Sequence, residues 1–267
     1  IIYDCMDELA AFKNAPPVIK QRGDELMKRA DIVFTGGSSL YAARKDKHHS
    51  VHLFPSSIDR KHFGQAMQPI ADPTDQSAIP HPRIGFFGVI DERMDIELLR
   101  SAATAKPEWQ FVVLGPVVKI DPATLPSLPN IHYLGQKSYQ ELPAYLANWD
   151  VAMMPFAINE STKFISPTKT PEYLAAGKPV VSTAITDVVD GYGKTGLVYI
   201  ANDAGEFVDK IEAALHIKDR TAWLKEVDSL LAQGSWDRTV EQMNNYINAA
   251  LTNAAQKSTK EKEDAYV

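Results

Sequence analysis

The chain of 267 residues is poor in cysteine, with Cys5 standing alone. One thiol excludes an intrachain disulfide and a thiolate zinc cage, and it suits a reducing compartment. Long hydrophobic runs are also missing. No apolar stretch approaches the roughly 18 residues of a membrane span, and no charged n-region with an apolar h-region opens the chain. A cytoplasmic location is expected. Nor is there an excess of positive charge: Lys and Arg total 28 against 34 Asp and Glu, a net charge of −6. That balance leaves no general basic footprint for nucleic acid, which is not expected as a partner. The run "ARKDKHH" at 43–49 is locally basic, and reads either as a solvated loop or as a peripheral contact with the inner membrane face. No G-x-G-x-x-G follows the strand at 83–88, which weakens the case for a nicotinamide or flavin enzyme. An initiating Met is absent too; the opening "IIYDCMD" reads as the end of a strand and the loop after it, so an upstream part is expected.

What the chain does have is regular alternation. Apolar runs at 1–4, 31–36, 51–54, 83–88, 111–115, 131–135, 150–155, 179–183 and 197–200 are separated by helical patterns. Such alternation argues for βαβ units and parallel sheets, an α/β fold. In "SYQELPAYLANW", Ser138 and Glu141 have capping-box spacing, and Leu142, Tyr145, Leu146 and Trp149 share a face. A helix is expected there despite Pro143, which a first turn tolerates. Residues 64–82 hold four prolines and little periodicity, and read as an interdomain linker. Residues 1–63 then form the end of one α/β domain, and 83–233 a complete doubly wound domain. A helix at 234–255 carries Val240, Met243, Tyr246, Ile247 and Ala250 on one stripe and is expected to cross back to the first domain. The polar tail 256–267 is expected to be disordered.

In open parallel sheets ligands bind beyond the carboxyl ends of the strands. After "IGFFG", Gly88 permits close backbone approach and Arg93 stands at a helix start, where unpaired N–H groups and a guanidinium suit a phosphate. A glycine turn with a solvent-facing arginine fits equally well. The stretch "SPTKTPEYLAAGKPVV", 166–181, says more. Pro167 or Thr168 begins a helix, with Lys163 and Lys169 beside its first N–H groups, an environment for a diphosphate. Glu172 lies in the first turns, where a carboxylate accepts hydrogen bonds from a ribose diol. Ala175, Ala176 and Gly177 are small enough to bring helix and sheet together, and Gly177 ends the helix before Pro179. The competing reading is a solvated i,i+3 pair of Lys169 and Glu172. His48, His49 and His52 lack a carboxylate at ligand spacing and read as surface histidines, and no metal site is expected.

The stretch "SPTKTPEYLAAGKPVVST" resembles the donor-site signature of B-fold glycosyltransferases of the family 4 type, in their polysaccharide-biosynthesis branch. The segments "YDCMDELAAF", "ELMKRADIVFTGGSSLY", "VHLFPSSIDRKHF", "IGFFGVIDERMDIELL", "DVAMMPF" and "GLVYIANDAGEFVDKIEAAL" agree in order. The resemblance implies two Rossmann-like domains facing across a cleft, the N-terminal one incomplete in this chain. A nucleotide diphosphate sugar would sit on the second domain, and a glycan or lipid-linked acceptor on the first. Carried over by position, Glu172 would bind the ribose. Ser166, Pro167, Thr168 and Lys169 would hold the diphosphate, approached by Gly88 and Arg93, with Lys163 completing the cationic set. Gln136 and Lys137 would lie near the base. Asp4 and Asp7 would face the transferred sugar, acting in the transfer step together with Arg93 and Lys169. The family implies retaining, hexosyltransferase-type transfer without metal or cofactor, in cell-surface polysaccharide biosynthesis. The chain departs from the family in two places: Phe164 stands where a first Glu is often found eight residues before Glu172, and Val89 replaces a basic residue after the glycine. With part of the acceptor domain outside the chain, binding is expected to survive better than turnover. Two other functions fit the fold. One is a nucleotide-sugar epimerase, which needs paired carboxylates not clearly present; the other is a non-catalytic nucleotide-sugar-binding subunit.

Overall fold

The computed structural model describes residues 1–264, with side chains as far as residue 252. It divides into two compact units, residues 1–57 with the chain from Gly234 onward, and residues 58–233. The nine apolar runs all appear as strands, and every strand pairing is parallel.

The first unit begins with β1 (Ile2–Cys5), α1 (Pro17–Arg29), β2 (Ile32–Thr35), α2 (Ser38–Arg44) and β3 (Val51–Leu53), in the sheet order β1-β2-β3. β2 is the middle strand and its four residues are all buried, as a parallel strand covered on both faces requires. Pro17 opens α1 at a position where its missing N–H loses no helical bond.

The second unit contains α3 (Arg60–Gly64), β4 (Arg83–Phe87), α4 (Ile96–Ala105), β5 (Gln110–Leu114), β6 (Ile131–Gly135), α5 (Leu142–Ala147), β7 (Val151–Met154), α6 (Lys169–Ala175), β8 (Val180–Thr183), α7 (Thr186–Gly191), β9 (Val198–Ala201), α8 (Ala204–Leu215) and α9 (Arg220–Leu231). Its strand order is β6-β5-β4-β7-β8-β9. The chain winds from β4 outward to β6, then returns to lay β7 on the other flank of β4. The topological switch point of this sheet is therefore between β4 and β7. The capping box of Ser138 and Glu141 forms as its spacing predicts, with Pro143 inside the first turn of α5.

Residues 64–82, expected as a linker, are packed into this second unit. Gln76 is fully buried, accepting from the Trp149 indole at 2.8 Å and donating to Asp72 at 2.9 Å. The buried guanidinium of Arg83 is paired with Asp72 at 2.6 Å. Prolines gave the segment an irregular path, and buried polar contacts rather than periodicity hold it in place.

Returning to the first unit, α10 (Trp236–Asp264) lays Met243, Ile247 and Ala250 against Ile32, Phe34 and Phe54. Residues 256–264, expected to be disordered, continue this helix. The stretch holds three Lys, two Glu and a Gln, good helix formers that a composition-based reading of disorder overlooks. The rest of the expected tail, 265–267, lies outside the described residues. No described helix is long and apolar enough to cross a membrane.

Candidate functional site

The switch point opens because β4 and β7 part. Their register runs Ile84 with Val151 and Gly85 with Ala152, and goes no further. Beyond it, the Phe87 N–H donates to the Tyr173 hydroxyl of α6 at 3.0 Å instead of to a neighbouring strand. α6 is thereby wedged at the carboxyl end of the crevice, with Tyr173 fully buried. Gly85 serves the same junction from below: a Cβ there would lie 1.9 Å from the Trp149 ring.

Two loops line the crevice. After β4 comes Gly88, at φ +146°, where a Cβ would meet the Lys169 Cε at 2.4 Å and its Nζ at 2.9 Å. Only glycine combines that backbone angle with so close a lysine. The β4–α4 loop is stitched to the β7–α6 loop by Asp95 N–H to Pro155 O at 2.8 Å and Ala157 N–H to Arg93 O at 2.8 Å. Arg93 grips the buried Asp91 carboxylate at 2.7 Å.

At the start of α6, Lys169 crosses the end of β4, its Nζ 5.8 Å from the Phe86 ring centroid. Burial lowers its ammonium below the usual lysine range; Glu172 opposes that shift, Arg93 adds to it and Asp91 opposes it. Burial also pushes Glu172 up to about 7, against the pull of Lys169. Neither side chain forms a hydrogen bond or an ion pair among the described residues. The solvated i,i+3 pair is therefore not what forms, since both groups are drawn into the crevice. A half-buried cation and carboxylate that form no hydrogen bond or ion pair are poised to meet a polar ligand.

Other expected residues are placed as follows. Ser166 and Pro167 are partly buried and Thr168 exposed, forming the turn into α6 with Thr170 N–H to Pro167 O at 3.3 Å. The helix itself begins at Lys169, slightly later than expected. Lys163 is exposed and sits 3.7 Å from Glu160, a loose surface pair. Gln136 is exposed after β6. Lys137 is engaged with Asp75 at 2.6 Å and lies over the Tyr145 ring, so it holds the fold of its own loop. Asp4 and Asp7 are exposed residues of the first unit, in β1 and the loop after it. The Lys in "AAGKP" faces the opposite end of the sheet: Lys178 is buried and donates to Ala147 O and Trp149 O, each at 2.9 Å. The expected surface histidines are engaged locally, His48 with Ala30 O at 2.9 Å and His52 stacked on Tyr246.

Sequence reasoning missed two participants. Asp91 was legible only as the first of two acidic residues in "VIDER". Tyr139, 45% exposed, stacks on His62 with ring centroids 4.0 Å apart, and its hydroxyl feels the charge of Glu172. The His62 partner is 77 positions away in sequence, which no local pattern reveals.

Solved structures share the fold at low identity: Anabaena Alr3699/HepE in complex with UDP and glucose (TM-score 0.72, 13% identity, covering 92% of this chain and 71% of that one). Sucrose-phosphate synthase from Thermosynechococcus elongatus is as similar (TM-score 0.72, 17% identity, 94% and 68%). The chain thus has the glycosyltransferase B-fold, built from Rossmann-like units, and among the described residues the N-terminal one holds three strands. A curated relative, the teichuronic acid biosynthesis glycosyltransferase TuaH of Bacillus subtilis (strain 168), is 28% identical over 205 residues, 68% of this chain. The chain spans half of that relative's length. The family model for glycosyl transferases group 1 matches residues 81–216, which take in β4 to α8 and the whole crevice. Since that match covers more than half of the chain, the protein belongs to the group 1 glycosyltransferases.

Proposed function

We propose that the crevice between β4 and β7 binds the nucleoside diphosphate of a nucleotide sugar, and that the whole protein transfers the sugar to a glycan or lipid-linked acceptor in cell-surface polysaccharide biosynthesis. The observation that carries this reading is the pair of half-buried charges Lys169 and Glu172, one helical turn apart beside Gly88 and neither engaged in a hydrogen bond or ion pair. Lys169 and Arg93 neutralise the diphosphate, which meets the backbone of Ser166, Pro167 and Thr168 on one side and Gly88 on the other. The Glu172 carboxylate accepts from the ribose hydroxyls. Gln136 and the exposed ring of Tyr139 are nearest to the base, whereas Lys137 supports the loop. Lys163 contributes long-range attraction only.

The chemistry follows from charge. When the sugar–oxygen bond breaks, negative charge gathers on the departing diphosphate, and fixed cations in a poorly solvated crevice stabilise it without reorganising. We assign Asp4 and Asp7 of the first unit to the transfer step, together with Arg93 and Lys169, and read the transfer as hexosyl, retaining and metal-independent. The teichuronic acid relative supports the polysaccharide setting, and the neighbour with bound UDP and glucose supports a nucleotide-sugar donor. The membrane side is served by "ARKDKHH" at 43–49 if the acceptor is lipid-linked.

Calorimetric titration of the chain with UDP, GDP and ADP, beside folded Lys169→Ala and Glu172→Ala variants, tests the site. Saturable binding of one diphosphate, weakened in both variants, is expected. Binding indifferent to both substitutions would remove the assignment.

A further inference from the structure

We propose that Asp91 is a positioning residue: its carboxylate aims the Arg93 guanidinium into the crevice beside Lys169, building a two-cation clamp for a diphosphate. The inference rests on the donor-site reading above. The Asp91 carboxylate accepts from the Arg93 backbone N–H at 3.0 Å, from Nε at 3.0 and 3.1 Å, and from one Nη at 2.7 Å. The Asp91 side chain is 5% exposed and that of Arg93 29%.

A buried carboxylate needs its partner, and Asp91 and Arg93 lie two residues apart within one loop. The loop is already fastened by its backbone: Ile90 N–H to Pro116 O and Val118 N–H to Ile90 O, both 2.9 Å, with the two stitches to the β7–α6 loop. What Asp91 adds is direction. A side-on grip that uses Nε and one Nη turns the other edge of the planar fork away from the carboxylate.

Charge order gives the clamp its sense. Asp91 contacts Arg93, the Arg93 charge is felt at Lys169, and Lys169 in turn interacts with Glu172. Two cations and two carboxylates leave the set neutral as a whole, while the charges of Arg93 and Lys169 repel each other. In a poorly solvated crevice that repulsion is relieved by an anion bound to both cations. A diphosphate supplies adjacent charged oxygens for the pair, whereas the two carboxylates offset the repulsion between the cations.

The test is a double-mutant cycle on the 267-residue chain, comparing Asp91→Asn, Arg93→Ala and the double variant by calorimetry with whichever of UDP, GDP and ADP the parent binds. Asp91→Asn should weaken binding about tenfold, and it should cost nothing further once Arg93 is alanine. Equal losses in both backgrounds, or no loss at all, would overturn the positioning role. Should Asp91→Asn fail to fold, the parent's Arg93 Nε–H resonance decides. It should be protected from solvent exchange and shift on addition of the diphosphate; exchange at the rate of free arginine, without a shift, overturns the proposal. Losses in Arg93→Ala and Lys169→Ala without one in Asp91→Asn dismiss Asp91 and leave the donor site standing. Parent-like binding by both cation variants, or a parent that binds none of the three diphosphates, overturns the donor site and this inference together.

Discussion

Glu172 is the residue whose chemistry is most exposed to pH. Burial raises its carboxyl to about 7, from an ordinary value of 4.5. The folded state therefore holds a proton that the unfolded chain has released across that interval, and stability falls as pH rises through it. The expected loss between pH 4.5 and pH 7 is on the order of 2–3 kcal/mol. Urea denaturation of the parent and of Glu172→Gln should show that slope in the parent and little of it in the variant. Ribose binding runs the other way, because the ionised carboxylate is the better acceptor. Affinity for the diphosphate should rise roughly tenfold from pH 6 to pH 8 as the carboxylate fills, and a flat profile would speak against Glu172 as the ribose ligand. Gly88 gives a second residue-scale expectation. An alanine there adds left-handed strain and a Cβ 2.4 Å from Lys169. Gly88→Ala should destabilise the fold by about 1–3 kcal/mol and weaken nucleotide binding through the displaced ammonium, both readable in one denaturation and titration series.

At the scale of elements, the crevice depends on what props the strands and loops around it. Tyr173→Phe removes the acceptor of the buried Phe87 N–H while keeping the ring. The expected destabilisation is about 1–3 kcal/mol, with the change concentrated in exchange protection of the Phe87 amide, measurable by NMR. Asp72 holds a different junction. Its loss leaves the Arg83 guanidinium, 3% exposed, without its carboxylate. Asp72→Ala should cost about 3–5 kcal/mol, a drop that a free linker would not produce and that urea denaturation can separate from the sub-kilocalorie effect of a surface change. Element positions were largely legible: each apolar run became a strand, and Ser138 and Glu141 capped as their spacing required. The packing of 64–82 was not legible, because Gln76 meets Trp149 through a contact 73 residues long. Helix continuation through 256–264 was obscured by reading polarity as disorder.

For the whole molecule, every residue placed against the diphosphate, ribose and base falls within 58–233, and this unit has its own extensive core. Residues 58–233 produced separately should fold cooperatively and bind the diphosphate with the affinity of the full chain; a fragment that folds but loses binding would show that the first unit contributes to the donor site. By itself the sequence determined the α/β alternation, the parallel sheets and the loop-helix motif that carries Lys169 and Glu172, because strand and helix periodicity and a contiguous motif are local properties. Only the tertiary structure decided that Lys137 and Lys178 support the fold while Lys169 forms no ion pair, that Asp91 grips Arg93, and that Tyr139 stacks on His62. Whether a charged side chain meets a partner or a ligand depends on groups brought together across the sheet, and periodicity along the chain carries no record of them.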